Sequence, residues 1–192
     1  ANTTADHNTA VGHGALGVNT TGTANTSIGR GTLGNATTAD KNTAIGKDAL
    51  HNNTTGTLNV AAGFEAGLDL TTGQLNTLLG YQAGENVTTG NTNTCLGGDS
   101  GEDLTTGANN LLLGVNSGTS NSPSGSITTG SNNVCLGDNN ISNLFCADTS
   151  ISASDSRDKT DVASFDIGLA WINALRPVTY KWDRRTWYGT DE

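Results

Sequence analysis

Asn42-Thr43-Ala44-Ile45-Gly46-Lys47-Asp48-Ala49-Leu50-His51-Asn52-Asn53-Thr54-Thr55-Gly56-Thr57-Leu58 runs for 17 residues and then begins again at Asn59-Val60-Ala61-Ala62-Gly63. The same pentapeptide opens at Asn8, Asn25, Asn42, Asn59, Asn76, Asn93 and Asn110, always 17 residues apart. An eighth copy opens at Asn133 after an interval of 23, which places a six-residue insertion around Ser122-Pro123-Ser124. A Thr-Thr-Gly phrase keeps the same beat from Thr20 to Gly130, with Ala replacing Gly at Ala5 and Ala39. A short period held over eight copies is the mark of a solenoid. Seventeen residues are too few for a helix–turn–helix unit and suit one coil of two short strands and two turns. The expected fold class is therefore all-β: a β-solenoid or β-roll of about eight 17-residue coils.

Composition agrees. The chain has 192 residues, 26 of them Gly, with 33% hydrophobic, 5% aromatic and 14% charged residues and no Met. That is too little apolar side chain for an ordinary globular core of this length, and too little charge for plain disorder. The net charge of −9 excludes the basic footprint that nucleic acid requires. No apolar run approaches the length of a transmembrane helix, so no membrane insertion is expected. The opening Ala1-Asn2-Thr3-Thr4 does not read as a signal peptide. The cysteines at 95, 135 and 146 are odd in number and form no CxxC pair, so neither a metal site, a cofactor nor a disulfide framework is expected.

The beat assigns columns. Gly12, Gly29, Gly46, Gly63, Gly80, Gly97, Gly114 and Gly137 are expected to end a strand where the backbone turns with positive φ. The asparagines are expected to stack and to bond amide to amide along the axis. The residues before the turn glycine (Val11, Ile28, Ile45, Ala62, Leu79, Leu96, Leu113 and Leu136) are apolar throughout and are expected to face inward. A further exchange links Leu16, Leu33 and Leu50, replaced by Gly67, Gly84, Gly101 and Gly118, with Asn19, Ala36 and Asn53, replaced by Leu70, Val87, Leu104 and Ile127. One buried volume is then filled from either of two positions. A single narrow stack buries little, so a parallel homotrimer is expected, its axis lined by Ala10, Ser27, Ala44, Ala61, Leu78, Cys95, Leu112 and Cys135. In that column Cys95 and Cys135 are small apolar fillers. Separate rolls and interwoven chains both satisfy the period, as does either handedness.

The column after the turn glycine (His13, Arg30, Lys47, Phe64, Tyr81, Gly98, Val115, Asp138) changes freely and is expected outside. It reads as a stripe, basic in the early coils and aromatic at Phe64 and Tyr81, whose rings are candidates for stacking on the sugars of a receptor. His7, His13 and His51 read as surface histidines, and Asp99, Glu102 and Asp103 as a solvated acidic turn rather than a cation site. No carboxylate pair is set up for glycosidase chemistry, so no substrate-directed activity is expected.

The Thr-Ala-Ile-Gly phrase resembles the repeat of trimeric autotransporter adhesin heads, and the Asn-Thr-Ala-Ile-Gly with Thr-Thr-Gly phrasing is similar to repeat shafts of bacteriophage tail fibres. This resemblance covers residues 2–137. It implies β-rolls packed three around an axis.

Composition changes near residue 145, and all three Trp (171, 182 and 187) lie beyond it. Ser164 is placed to cap a helix running to about Leu175, Pro177 stops it, and Val178, Tyr180 and Trp182 alternate with polar residues as in a strand. A small mixed α/β segment is expected. Its phrases Ser154-Asp155-Ser156-Arg157-Asp158-Lys159-Thr160-Asp161-Val162 and Leu175-Arg176-Pro177-Val178-Thr179-Tyr180-Lys181-Trp182 resemble the start of the endosialidase-type intramolecular chaperone. The resemblance implies an aid to trimerisation, released by self-cleavage just before a serine. It makes Ser154 the nucleophile, Lys159 its base and Ala153–Ser154 the scissile bond. The alternative is that Arg157 and Lys159 pair with neighbouring aspartates on a solvated turn. The family continues beyond its Trp182 region, whereas this chain ends at Glu192, a departure expected to impair cleavage.

The expected organisation is a shaft over 1–144, a linker over 145–153 and a chaperone-like segment over 154–192. Two readings of the whole stay open. One is a phage tail fibre in the virion, in contact with other tail proteins and a host glycan or protein receptor. The other is a bacterial surface adhesin or extracellular filament subunit.

Overall fold

A computed structural model describes residues 4–144, which lie in the first of the chain's two units, Ala1–Leu144. The expected helix and strand beyond residue 145, Cys146 and the Ser154–Lys159 pair lie outside the described residues. Within them, eight strands form one parallel sheet in sequence order. They are β1 (Thr9–Val11), β2 (Thr26–Ile28), β3 (Thr43–Ile45), β4 (Val60–Ala62), β5 (Thr77–Leu79), β6 (Thr94–Leu96), β7 (Leu111–Leu113) and β8 (Val134–Leu136). Each pairs in register with the next, Thr43 with Val60 and Ile45 with Ala62. Among the described residues each rung pairs with the next rung of the same chain.

The asparagine column follows from simple valence counting. Asn59 Nδ2 donates to Asn42 Oδ1 at 3.2 Å and to the Gly73 carbonyl at 2.9 Å. Its own Oδ1 accepts the Asn76 backbone N–H at 2.9 Å and Asn76 Nδ2 at 3.1 Å. Both donors and both lone-pair sites of the amide are used, and the residue is fully buried. The pattern holds from Asn42 to Asn110. The ladder fastens each rung to the one before it and each strand to the Thr-Thr-Gly corner of its own coil.

The second strand expected in each coil is absent from the described residues, and the Thr-Thr-Gly phrase forms a bent corner instead. Thr54 N–H donates to the Thr71 carbonyl at 2.9 Å, and Thr54 Oγ1 donates to the same oxygen at 3.2 Å. The corner stacks rung on rung through bends, and each coil holds one three-residue strand.

The turn glycines have positive φ, 125° at Gly46 and 143° at Gly80. A Cβ at Gly80 would collide with the Gly97 carbonyl oxygen of the next rung. Backbone conformation and close stacking each require glycine there. Gly98, one residue past its own turn glycine, lacks both constraints, with no heavy atom within 4 Å of a built Cβ.

Two column assignments are reversed in the structure. In a three-residue strand the middle side chain faces one way and its neighbours the other. The middle residues Ala44, Ala61, Leu78, Cys95 and Leu112 are fully buried inside the coil, so this column is the protein's own core and not a trimer axis. The column before the turn glycine points outward: Ile28 is 39%, Ile45 43% and Leu96 48% exposed. Its apolarity is real, but it lies on the outer face of the sheet.

The volume exchange is present, with a third participant. Leu16, Leu33 and Leu50 fill the early core beside small Ala44 and Ser27, whereas Leu70, Val87, Leu104 and Ile127 fill the later one. At the changeover, a Cβ on Gly67 would lie 2.9 Å from Leu50 Cδ2 and 2.6 Å from Leu78 Cδ1. Neighbouring rungs have already taken the space. Asn19 and Asn53, which precede Leu70 in this column, close their own corners by bonding Gly22 and Gly56. The insertion folds on itself and Ile127 N–H donates to the Gly118 carbonyl at 2.8 Å, returning Ile127 to the core.

Gly80→Ala is expected to destabilise the solenoid by roughly 3 kcal/mol or more, as a left-handed, sterically closed position demands. Gly98→Ala is expected to change stability by less than about 0.5 kcal/mol. Urea titration followed by circular dichroism measures both.

Candidate functional site

The column after the turn glycine does lie at the surface, where the chain leaves each strand. Phe64 and Tyr81 stack on one another across adjacent rungs, with ring centroids 5.5 Å apart and planes 8° from parallel. Lys47, one rung earlier, places Nζ 4.5 Å from the Phe64 centroid. Both faces of Phe64 are therefore covered, one by a cation and one by a ring. Tyr81 keeps one face free, and it is the more exposed of the two rings.

A polar network that the sequence reading did not single out holds this stack in place. Lys47 Nζ lies 2.7 Å from Asp48 Oδ2 and 3.5 Å from Glu65 Oε1. The hydrogen bond to Asp48, aided by Glu65, holds the Lys47 ammonium above its usual pKa. Gln82 Nε2 donates to Glu65 Oε2 at 3.0 Å. Asp48, Glu65 and Gln82 occupy the position two past the turn glycine, all at positive φ between 49° and 56°. The 17-residue spacing of this column was the signal available for them.

Charge divides along the axis. Arg30, Lys41 and Lys47 lie in the early coils, and none of residues 48–144 is Lys or Arg. The later coils carry an acidic file. Burial raises the Glu85 carboxyl, and the nearby Glu65, Glu102, Asp69 and Asp99 raise it further. Burial, with Asp99 and Asp103, raises Glu102. Among the described residues no group of His, Cys, Asp and Glu is arranged to hold a metal ion. His51 Nδ1 sits 2.7 Å from the Gly31 carbonyl and near Asp48, a structural position.

The two described cysteines differ. Burial pushes the Cys95 thiol up to about 12, as befits a core filler. At Cys135 burial acts in the same direction, but the hydroxyls of Ser117, Ser124 and Ser122 outweigh it and the pKa falls below its usual value. Both are free thiols.

Ser154, Lys159 and the Ala153–Ser154 bond lie outside the described residues. Comparison with known families bears on them: residues 154–192, 39 of the 192, match the family described as the chaperone of endosialidase. No curated protein matches the chain. No solved structure matches it.

The acidic file has a definite pH signature. Glu85 and Glu102 have folded-state pKa values raised above their unfolded ones, so their contribution is fully present below the unfolded range and is lost as pH rises through the folded values. Glu85→Gln is therefore expected to raise the melting temperature at pH 7 and to leave it nearly unchanged near pH 3.5, well into the protonated range. Thermal melts of both proteins across that interval check the sign.

Proposed function

We propose that the chain is a trimeric fibre segment of a phage tail, carried in the virion and used for attachment to the host surface, whose assembly is assisted by its C-terminal segment. The observation that carries the reading is the junction of a rigid asparagine-laddered solenoid with the match to the endosialidase chaperone beginning at Ser154. A domain of that kind belongs with chains that must trimerise.

The outer face of the sheet supports a trimeric seam, relocated from the column expected in sequence. Val11, Ile28, Ile45, Val60, Leu96, Leu111, Val134 and Leu136 are exposed on one face over every rung but β5, where Leu79 is half-buried. Each leaves between 37% and 68% of its surface open, and apolar residues aligned in this way differ from the single exposed ones of an ordinary surface. Because the stripe repeats with the rungs, a parallel copy of the same chain meets it in register along its whole length. Phe64 and Tyr81 lie past the strand end and are the proposed receptor contact. An adhesin or extracellular filament subunit would use the same roll, but the chaperone match favours the tail fibre.

Sedimentation equilibrium of the chain at micromolar concentration is expected to give three times the chain mass. Ile28→Lys combined with Leu96→Lys is expected to give monomers with an unchanged β-sheet spectrum, since both side chains already face solvent in the isolated coil. A wild-type chain that stays monomeric defeats the reading.

The self-cleavage reading is proposed on the same match. Lys159, its pKa lowered by burial on assembly, takes the proton of Ser154 Oγ as the oxygen attacks the Ala153 carbonyl carbon. The C–N bond breaks, the Ser154 nitrogen leaves with the proton as a free amine, and water hydrolyses the resulting ester to release residues 1–153. Intact-mass spectrometry of the assembled protein, expressed with whatever C-terminal sequence follows in its gene, is expected to show the 1–153 fragment, and Ser154→Ala to abolish it. Persistence of the whole wild-type chain, so expressed, refutes the assignment.

A further inference from the structure

We infer that the gap over Gly98 is a ring-sized slot in the surface ladder, in which Tyr81 stacks against a neutral hexopyranose of a glycan. The inference rests on the attachment-fibre reading and specifies the ligand its aromatic stripe takes.

The ladder explains the slot. Lys47, Phe64 and Tyr81 occupy successive rungs of one column, and each covers a face of the next. The following rung carries Gly98, and the one after it carries Val115, which is 55% exposed. The file of side chains on successive rungs is thus interrupted at Gly98. Nothing lies within 4 Å of a Cβ built on Gly98. The open face of Tyr81 borders that space, because Phe64 occupies its other face.

The dimensions suit one ring. Tyr81 and Val115 are two rungs apart, about 10 Å at the usual strand spacing. The Phe64–Tyr81 separation of 5.5 Å shows that one ring layer takes up about one rung. A ring seated over Gly98 repeats that offset beyond Tyr81 and ends against Val115. Unlike Gly80 or Gly97, Gly98 is not held to glycine by its backbone, since its φ is not in the left-handed region. The missing side chain is therefore not a requirement of the coil.

Charge selects the class of ring. Gly98 is followed by Asp99, which lies close enough to Glu85 and Glu102 to add to the rise that burial gives both carboxyls. No Lys or Arg occurs from residue 48 to residue 144. An acidic sugar is repelled there, whereas the hydroxyls of a neutral hexose donate to carboxylate oxygens while its C–H face lies on the tyrosine ring.

The test uses the full chain in its assembled state, with saturation-transfer NMR against the methyl glycosides of glucose, galactose and mannose, and with methyl glucuronide and phenol as comparators. Saturation transfer to at least one neutral hexoside is expected. Gly98→Leu, which continues the ladder through the gap, and Tyr81→Ala are each expected to weaken it at least about tenfold. The trimer mass is expected to be unchanged by Gly98→Leu. Absence of binding to all three hexosides, undiminished binding by Gly98→Leu, or equal binding of methyl glucuronide or phenol overturns the slot. A trimer that binds no hexoside refutes the slot and leaves the fibre reading standing. A monomer that binds one in the slot refutes the fibre reading instead.

Discussion

The buried amide of each ladder asparagine is the constraint on which the rest of the solenoid depends. A coil of 17 residues encloses little interior, and each rung adds only a few Ala, Leu, Val, Ile or Cys side chains to the core. Apolar burial alone is therefore a weak guide to where each rung sits. The amide supplies what burial lacks, because it reads position in two directions at once. Along the axis it meets the same residue of the neighbouring rungs, and across the coil it meets the carbonyl of the Thr-Thr-Gly corner. A slip of one residue would bury an unpaired amide in every rung, which costs more than a slipped apolar contact. No buried side-chain nitrogen or oxygen among the described residues is without a partner.

Much of this was legible because the repeat makes the same statement eight times. The period, the turn glycines and the asparagine ladder each follow from residues whose chemistry admits few alternatives at a stacked position. The direction in which the strand columns face was not legible, and the reason is physical. The inward column begins with Ala10, Ser27, Ala44 and Ala61, because Leu16, Leu33 and Leu50 already fill the early core from another position, while the outward column carries Val11, Ile28 and Ile45. Ranking the strand columns by apolarity in the early coils therefore selects the outer face. The second strand failed for a related reason. Thr-Thr satisfies its stacking bonds through a bent corner, so β-branched character marks a stacking position without marking an extended one.

The glycine exchange was read as a matter of volume, and backbone geometry adds a second cause. Leu16, Leu33 and Leu50 sit at φ of 49°, 49° and 51°, and Gly67, Gly84 and Gly101 succeed them at the same left-handed turn. A leucine there carries strain on the order of 1 kcal/mol. The early coils accept it because the leucine is their main core residue. Once Leu78 and Leu112 supply that volume from the strand, the strained leucine has no remaining benefit and glycine takes the position. A sequence shows the substitution but not the dihedral angle, so only the packing half of the argument was visible in it.

The candidate site was legible as a column but not as a geometry. Equal spacing places Lys47, Phe64 and Tyr81 one above another, and any flat side chains so placed will stack along the axis and not lie flat on the sheet. The rings thus use most of their faces on each other. An incoming ring finds a free aromatic face only where the file is interrupted. In a one-dimensional stack each rung touches only its neighbours, so a surface column can gain or lose a side chain without disturbing the core. Glycine at such a position removes a surface group at little structural cost, and in a file of stacked rings the removal of one group creates a site shaped for another.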